Sequence, residues 1–133
     1  MSIELQYLIF TIFLLLLQLV LQATAGFLTR GTKGVIVGSR EGDLISESLM
    51  GRFERAFYNM LETFPVFAAL VLIIQVTESW TPESALAVQI YFWGRVLYLP
   101  AYVIAIPYLR TLIWLVSTAG IVLLAWPLLG QVT

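Results

Sequence analysis

The chain has 133 residues, of which 60% are hydrophobic and only 11% are charged, and its formal net charge is −1. Soluble domains contain roughly half apolar residues, so this composition indicates an integral membrane protein that crosses the bilayer several times. The length allows about four spans of ~20 residues with short links. The near-neutral charge argues against nucleic-acid binding, which requires a basic patch or stripe.

The chain also contains neither cysteine nor histidine. Zinc sites built from thiolates or imidazoles are therefore excluded, and we expect no metal site. Cysteine nucleophiles and histidine bases are excluded for the same reason. Any thiol chemistry requires a thiol from a bound cofactor.

The first predicted element is a transmembrane span over residues 3–25, which is apolar apart from three glutamines, small hydroxyl residues and Glu4. The run is longer than the apolar region of a signal peptide and lacks a preceding positive charge, so we expect a retained anchor. Residues 26–47 are rich in glycine and charged residues. This composition predicts a solvated cytoplasmic loop that covers a site.

The second predicted span, residues 48–77, begins with an unusual polar stripe. Its members follow i, i+3, i+7, i+10 spacing, which places them on one narrow face of a helix: Arg52, Arg55, Asn59 and Glu62. A charge at membrane depth costs roughly 2.5–3.5 kcal/mol on insertion scales. The stripe must therefore face other protein, water or a polar ligand, and we identify it as the candidate site.

The third predicted span covers residues 82–103 and starts with Thr81 as N-cap and Pro82 at the first helical position. A second polar stripe, spaced i, i+4, i+7, i+11, runs along it: Tyr91, Arg95, Tyr98 and Tyr102. The fourth predicted span covers residues 108–128, with Arg110 and Thr111 in its first turns. Both spans therefore bring polar groups to the depth of the first stripe.

The basic residues predict the orientation in the membrane. With four spans, all seven lysines and arginines lie on or near the side that carries the 26–47 loop. By the positive-inside rule that side is cytoplasmic, and both termini lie on the non-cytoplasmic side.

The two stripes and Arg110 together suit an anionic, polar ligand, because the planar fork of arginine binds carboxylates through two hydrogen bonds. Alternatively, the arginines reach lipid headgroups, or pair with Glu54 and Glu62 inside the bundle. Two polar stripes at matching depth favour a ligand site.

The same residues resemble a known family. Arg55-Ala56-x-x-Asn59-x-x-Glu62-x-x-Pro65, preceded by Glu54, resembles the motif of the membrane-associated proteins in eicosanoid and glutathione metabolism (MAPEG). Arg95-x-x-Tyr98-x-x-x-Tyr102, followed by Arg110, resembles the family in the same way, so the resemblance covers nearly the whole chain. It implies an all-α integral membrane protein, a four-transmembrane-helix bundle that assembles as a homotrimer. The short termini and glycine-rich loop resemble the bacterial branch, which implies a bacterial inner membrane.

The resemblance further implies glutathione as cofactor, bound between subunits near the cytoplasmic face. Arg110 matches the arginine that the family assigns to the thiolate and is the expected catalytic residue, with the Thr111 hydroxyl beside it. The expected cofactor-binding residues are Arg52, Arg55, Asn59 and Glu62, the neighbouring subunit's third-span residues Arg95, Tyr98 and Tyr102, and Arg30 as match to a first-span arginine. A hydrophobic small-molecule substrate would reach the sulfur from the membrane lipids.

Three functions remain in competition. The first is a glutathione-dependent transferase or peroxidase acting on hydrophobic electrophiles. The second is a non-catalytic lipid- or thiol-binding member of the same fold, which would keep Arg55 and Asn59 without needing Arg110. The third, a small multidrug transporter, is disfavoured because that class relies on a carboxylate buried in its first span, where this chain has only glutamines after Glu4.

Overall fold

A computed structural model describes the backbone of residues 1–37, 49–104 and 106–132, and the side chains of residues 1–27, 51–104, 106 and 108–132. This part of the chain forms four α-helices: α1 Ile3–Val37, α2 Leu49–Thr77, α3 Pro82–Ile104 and α4 Pro107–Val132. No strand occurs within these ranges. The predicted all-α four-helix bundle is confirmed.

Three helices contain a segment that is long and apolar enough to cross a bilayer: Ile3–Phe27, Gly51–Thr77 and Tyr108–Val132. Among the described helices α3 alone lacks such a segment, although its 23 residues would extend over about 35 Å. Its apolarity is reduced by polar residues that are themselves buried: Ser84, Tyr91, Arg95 and Tyr98. Helix α3 packs against all three other helices, so its polar face is covered by protein instead of lipid.

Helix α1 is longer than the sequence predicted. It continues to Val37 and so enters the segment 26–47 that was expected to be a loop. Residues 26–37 contain no proline, and a glycine costs only about 1 kcal/mol in a helix, so nothing there forces α1 to end. The candidate span Ile3–Phe27 includes all of the predicted first span, residues 3–25. Residues 38–47 of the predicted loop lie outside the described residues, as does residue 48 at the predicted start of the second span.

Polar contacts tie the helices together where α1 and α3 begin and α2 and α4 end, which we call the Glu4 end. The Ser84 hydroxyl donates a hydrogen bond to the buried carboxylate of Glu4. The Ser84 amide donates to Thr81 Oγ1 at 3.0 Å, so Thr81 caps α3 as predicted. Ser2 Oγ donates to Gln75 Oε1 at 3.0 Å and thereby joins the start of α1 to the end of α2.

Close packing joins α3 to α4. A Cβ added at Gly94 would lie 2.9 Å from the Cβ of Ser117, and one at Gly120 would lie 3.0 Å from the carbonyl oxygen of Ala87. Small residues at a helix crossing allow the two backbones to approach closely. This approach fixes the position of α4 relative to α3 and therefore of Arg110 relative to Tyr98.

Candidate functional site

Arginine side chains link the helices where α2 and α4 begin and α3 ends, which we call the Arg110 end. Arg52 Nη1 donates to the Val103 carbonyl oxygen at 3.1 Å, and this carbonyl belongs to the last turn of α3, where the helix leaves its acceptors unpaired. Arg55 Nε donates to the Tyr102 hydroxyl at 3.0 Å. The first of these bonds gives Arg52 a role in joining α2 to α3.

The Arg110 guanidinium lies on an aromatic ring. Its Cζ is 4.9 Å from the centroid of the Tyr102 ring, and the Tyr98 ring lies 5.6 Å from that of Tyr102. A ring at this distance attracts a cation through its quadrupole but leaves the N–H donors of the guanidinium at its edge. Within the described side chains, Arg110 is thus held by an aromatic ring and not by a carboxylate.

A cavity of about 190 Å³ lies beside Arg110 and is lined by residues of three helices: Asn59 of α2, Tyr98 of α3, and Arg110, Thr111 and Trp114 of α4. Its lining combines one guanidinium, two hydroxyls, an amide and an indole. Such a set supplies several hydrogen-bond donors and a fixed positive charge. The cavity is therefore suited chemically to a small anionic group.

Arg95 is enclosed inside its own subunit. Its side chain is 1% exposed, its Nη1 donates to Asn59 Oδ1 at 3.0 Å, and its Cζ lies 4.3 Å from the centroid of the Tyr98 ring. This position differs from the expectation that Arg95 reaches a ligand held by a neighbouring subunit. The reason is that Arg95 lies on the inner face of α3, which the other helices of the same chain cover. Arg95 thus holds the amide oxygen of Asn59, a residue that also lines the cavity.

The predicted site residues therefore fall into distinct groups. Asn59, Tyr98 and Arg110 line the cavity, and Tyr102 carries the ring beneath Arg110. Arg55 and Glu62 are exposed on the outer side of α2. Arg52 and Arg95 make contacts within the bundle, and Arg30 lies outside the described side chains.

Two residues of interest were not predicted from the sequence. Trp114 lines the cavity, and the available signal was its position one helical turn after Arg110, which places both on one face of α4. Gln18 is 1% exposed inside the bundle. The sequence feature that could have identified Gln18 was an amide in the middle of an apolar span, where a polar side chain requires a partner.

Comparison with known proteins agrees with this architecture. The MAPEG family model matches residues 7–130, which is nearly the whole chain. The chain therefore belongs to the MAPEG family, as its motifs predicted, and is an integral membrane protein. This family includes glutathione transferases and related proteins. Neither the search of curated proteins nor the search of solved structures found a match.

Proposed function

We propose that the protein is a glutathione-dependent transferase or peroxidase that acts on hydrophobic electrophiles in the membrane. The observation that carries this proposal is the Arg110 guanidinium on the wall of a cavity that also presents the hydroxyls of Tyr98 and Thr111. A free thiol has a pKa of about 8.5 and is mostly protonated at neutral pH, whereas an adjacent cation favours the thiolate. Arg110 supplies such a cation without being neutralised by a described carboxylate.

The size of the cavity suits part of a tripeptide. Its volume of about 190 Å³ is below the roughly 300–1,000 Å³ of pockets that enclose whole drug-sized ligands. We therefore assign the thiol-bearing residue of glutathione to the cavity and its charged ends to the adjacent outer surface. Arg55 and Glu62 are exposed there, and they match a carboxylate and an ammonium group respectively.

Glutathione would supply the sulfur nucleophile, which attacks an electrophilic carbon or a peroxide oxygen as the leaving group departs with its electron pair. The positive charge of Arg110 stabilises negative charge on the sulfur, and this favours release of the thiol proton to solvent. The Thr111 hydroxyl donates a hydrogen bond to the same charge. Trp114 supplies apolar surface that limits water and receives a hydrophobic substrate.

The outer face of α2 supports a homotrimer. Arg55, Tyr58 and Glu62 are exposed on this face in the single subunit, within the segment Gly51–Thr77 that is suited to the membrane. Charged side chains at that depth are normally covered by protein or water. We propose that a neighbouring subunit covers this face, that lipids cover the rest, and that the glutathione site lies at the interface.

We also propose that the Arg110 end faces the cytoplasm and that both termini lie on the other side of a bacterial inner membrane. The arginines with described side chains support this, because Arg52, Arg55 and Arg110 lie at that end. A reporter enzyme fused after residue 133 tests the orientation, and activity of the reporter on the cytoplasmic side would contradict it.

Isothermal titration of glutathione into the purified protein in detergent tests the proposal, paired with turnover of an apolar aryl halide and of a lipid hydroperoxide. The control ligand is the glutathione analogue that has a methyl group in place of the thiol and therefore cannot form a thiolate. We expect glutathione to bind and at least one substrate to turn over. Binding without turnover would favour the non-catalytic alternative, and the absence of binding would overturn the proposal.

A further inference from the structure

Two buried side chains carry polar atoms without hydrogen-bond partners. Gln18 is 1% exposed, and neither its Oε1 nor its Nε2 makes a hydrogen bond within the described part of the chain. Arg95 is also 1% exposed, and within the described part of the chain its Nε and Nη2 make no hydrogen bond. Buried polar groups in proteins are almost always hydrogen-bonded to protein or to ordered water. Two such side chains in one small bundle therefore require an explanation.

The pairing of α1 with α3 brings Gln18 to the level of Arg95. The Glu4–Ser84 hydrogen bond fixes the register of these two helices, which run in the same direction from the Glu4 end. Gln18 follows Glu4 on α1 by the same number of residues as Tyr98 follows Ser84 on α3, so the two side chains lie at a similar depth. Tyr98 lies one helical turn from Arg95, whose Cζ is 4.3 Å from its ring centroid.

The pairing of α1 with α2 leads to the same level independently. Ser2 on α1 bonds to Gln75 on α2, and these two helices run in opposite directions. Gln18 follows Ser2 on α1 by the same number of residues as Asn59 precedes Gln75 on α2, so Gln18 and Asn59 also lie at a similar depth. Asn59 is the residue that accepts the hydrogen bond from Arg95, so Gln18 and the guanidinium of Arg95 share one layer of the bundle.

The chemistry of the unpartnered atoms identifies what joins them. Arginine offers only donors, whereas a glutamine amide offers donors and an acceptor. An anion would satisfy Arg95 but would leave Gln18 Oε1 without a donor. A water molecule can accept from Arg95 and donate to Gln18 Oε1, and buried waters commonly make about three such bonds.

We propose that Gln18 is a positioning residue for the cavity, joined to Arg95 through an ordered water molecule. The connection runs from Gln18 to Arg95, and from Arg95 Nη1 to Asn59 Oδ1. Asn59 lines the cavity beside Arg110. Gln18 on α1 thereby fixes the orientation of an amide on α2, although it does not itself line the cavity.

Double-mutant cycles on thermal unfolding in detergent test the Gln18–Arg95 connection. With Arg95 present, Gln18→Leu removes the acceptor and lowers the midpoint by several degrees, whereas the carboxylate of Gln18→Glu accepts from Arg95 and lowers it less. In the Arg95→Met background the order reverses, because the carboxylate is then buried without a cation. Gln6 is an exposed glutamine of the same helix and serves as the control. Gln6→Leu should leave the unfolding midpoint unchanged in both backgrounds.

The same ranking of Gln18→Leu and Gln18→Glu in both backgrounds would overturn the connection. If Arg95→Met yields no folded protein, the two variants are compared with Arg95 intact. A lower midpoint for Gln18→Glu than for Gln18→Leu then overturns the proposal, and a higher midpoint supports it.

The positioning role has a separate test, which rests on the proposed glutathione function. Gln18→Leu should weaken the affinity for glutathione roughly tenfold, the equivalent of one lost hydrogen bond at ~1.4 kcal/mol. Gln18→Glu should restore most of that affinity. Wild-type affinity in Gln18→Leu overturns the positioning role. Loss of glutathione binding by the wild-type protein overturns the proposed function instead, and the unfolding cycles remain informative in that case.

Discussion

The two ends of the bundle use polar residues differently. At the Glu4 end, Glu4, Ser84 and Gln75 find partners inside the chain, and the helices close on one another. At the Arg110 end, the Arg110 guanidinium lies on the Tyr102 ring and beside a cavity. Hydrogen bonds link the helices at both ends, but within the described residues the guanidinium of Arg110 contacts a ring instead of a hydrogen-bond acceptor.

The helix dipole sharpens this contrast. Arg110 lies in the first turn of α4, where its amide donates to the Ile106 carbonyl oxygen at 3.1 Å. The positive end of the helix dipole lies at the same place and disfavours a cation. A cation kept there without a described carboxylate partner supports the presence of an anionic ligand. The two ends therefore differ less in their number of charges than in the partner of one charge, the Arg110 guanidinium on the Tyr102 ring.

Removal of the Arg110 charge should have the largest effect. Arg110→Leu should lower kcat by roughly 10²–10³-fold, a loss typical of one removed charge-stabilising donor. Glutathione affinity should change much less, because near neutral pH the variant can still bind glutathione with its thiol protonated. The control is Arg52→Leu at the same end, whose guanidinium bonds to the Val103 carbonyl. Steady-state kinetics with an apolar aryl halide measures both variants, and equal losses would contradict the assignment.

Enlarging the small residues between α3 and α4 should have the next largest effect. Gly94→Ala should destabilise the fold by about 1–3 kcal/mol, because the new Cβ would overlap Ser117. Gly130→Ala is the matched control, since a Cβ there meets nothing within 4 Å. Thermal unfolding in detergent measures both variants. A destabilised Gly130→Ala with a wild-type-like Gly94→Ala would argue against the described packing.

A substitution at the Glu4 end should change stability without changing the site. Thr81→Ala removes the N-cap of α3 and should cost about 0.5–2 kcal/mol. Thr81→Ser keeps the hydroxyl that accepts from the Ser84 amide and should retain most of that stability. Glutathione affinity, measured by calorimetry at a temperature where all variants are folded, should be unaltered. A change in affinity would show that the two ends are coupled.

Arg55→Ala should produce the smallest effect, confined to binding. Arg55 is exposed in the single subunit and bonds to the Tyr102 hydroxyl. Glutathione enters the proposed site from water, so the contact stays solvent-accessible and is worth about 1 kcal/mol, or about fivefold in affinity. Turnover at saturating glutathione should be nearly unchanged, since a carboxylate partner keeps its charge throughout the reaction. A lower kcat with unchanged affinity would exchange the roles assigned to Arg55 and Arg110.

Much of the site could be predicted from helical spacing. Regular spacing assigned Asn59 and Tyr98 to two polar stripes at a similar depth, and the N-cap at Thr81 with Pro82 after it located the start of α3. The family motif then supplied Arg110, which spacing alone could not have singled out.

Other features depended on tertiary packing and escaped prediction. The glycines of residues 26–37 were typical of a loop, yet nothing in that segment forbids a helix, and α1 continues through it. Arg95 carries the same charge as the other arginines of the predicted site, but the covering of α3 by the other helices encloses it. The partner of Gln18 depends on the register between helices, which no local pattern specifies.

The ultraviolet absorbance of the thiolate, recorded as glutathione is added to the purified protein near neutral pH, shows whether Arg110 stabilises an ionised sulfur. We expect a thiolate band in the wild-type protein that saturates with glutathione, is lost in Arg110→Leu and is kept in Arg52→Leu. The thiol-free analogue should give no band. A saturating band of equal size in Arg110→Leu, or bound glutathione without any band in the wild-type protein, would contradict this role of Arg110.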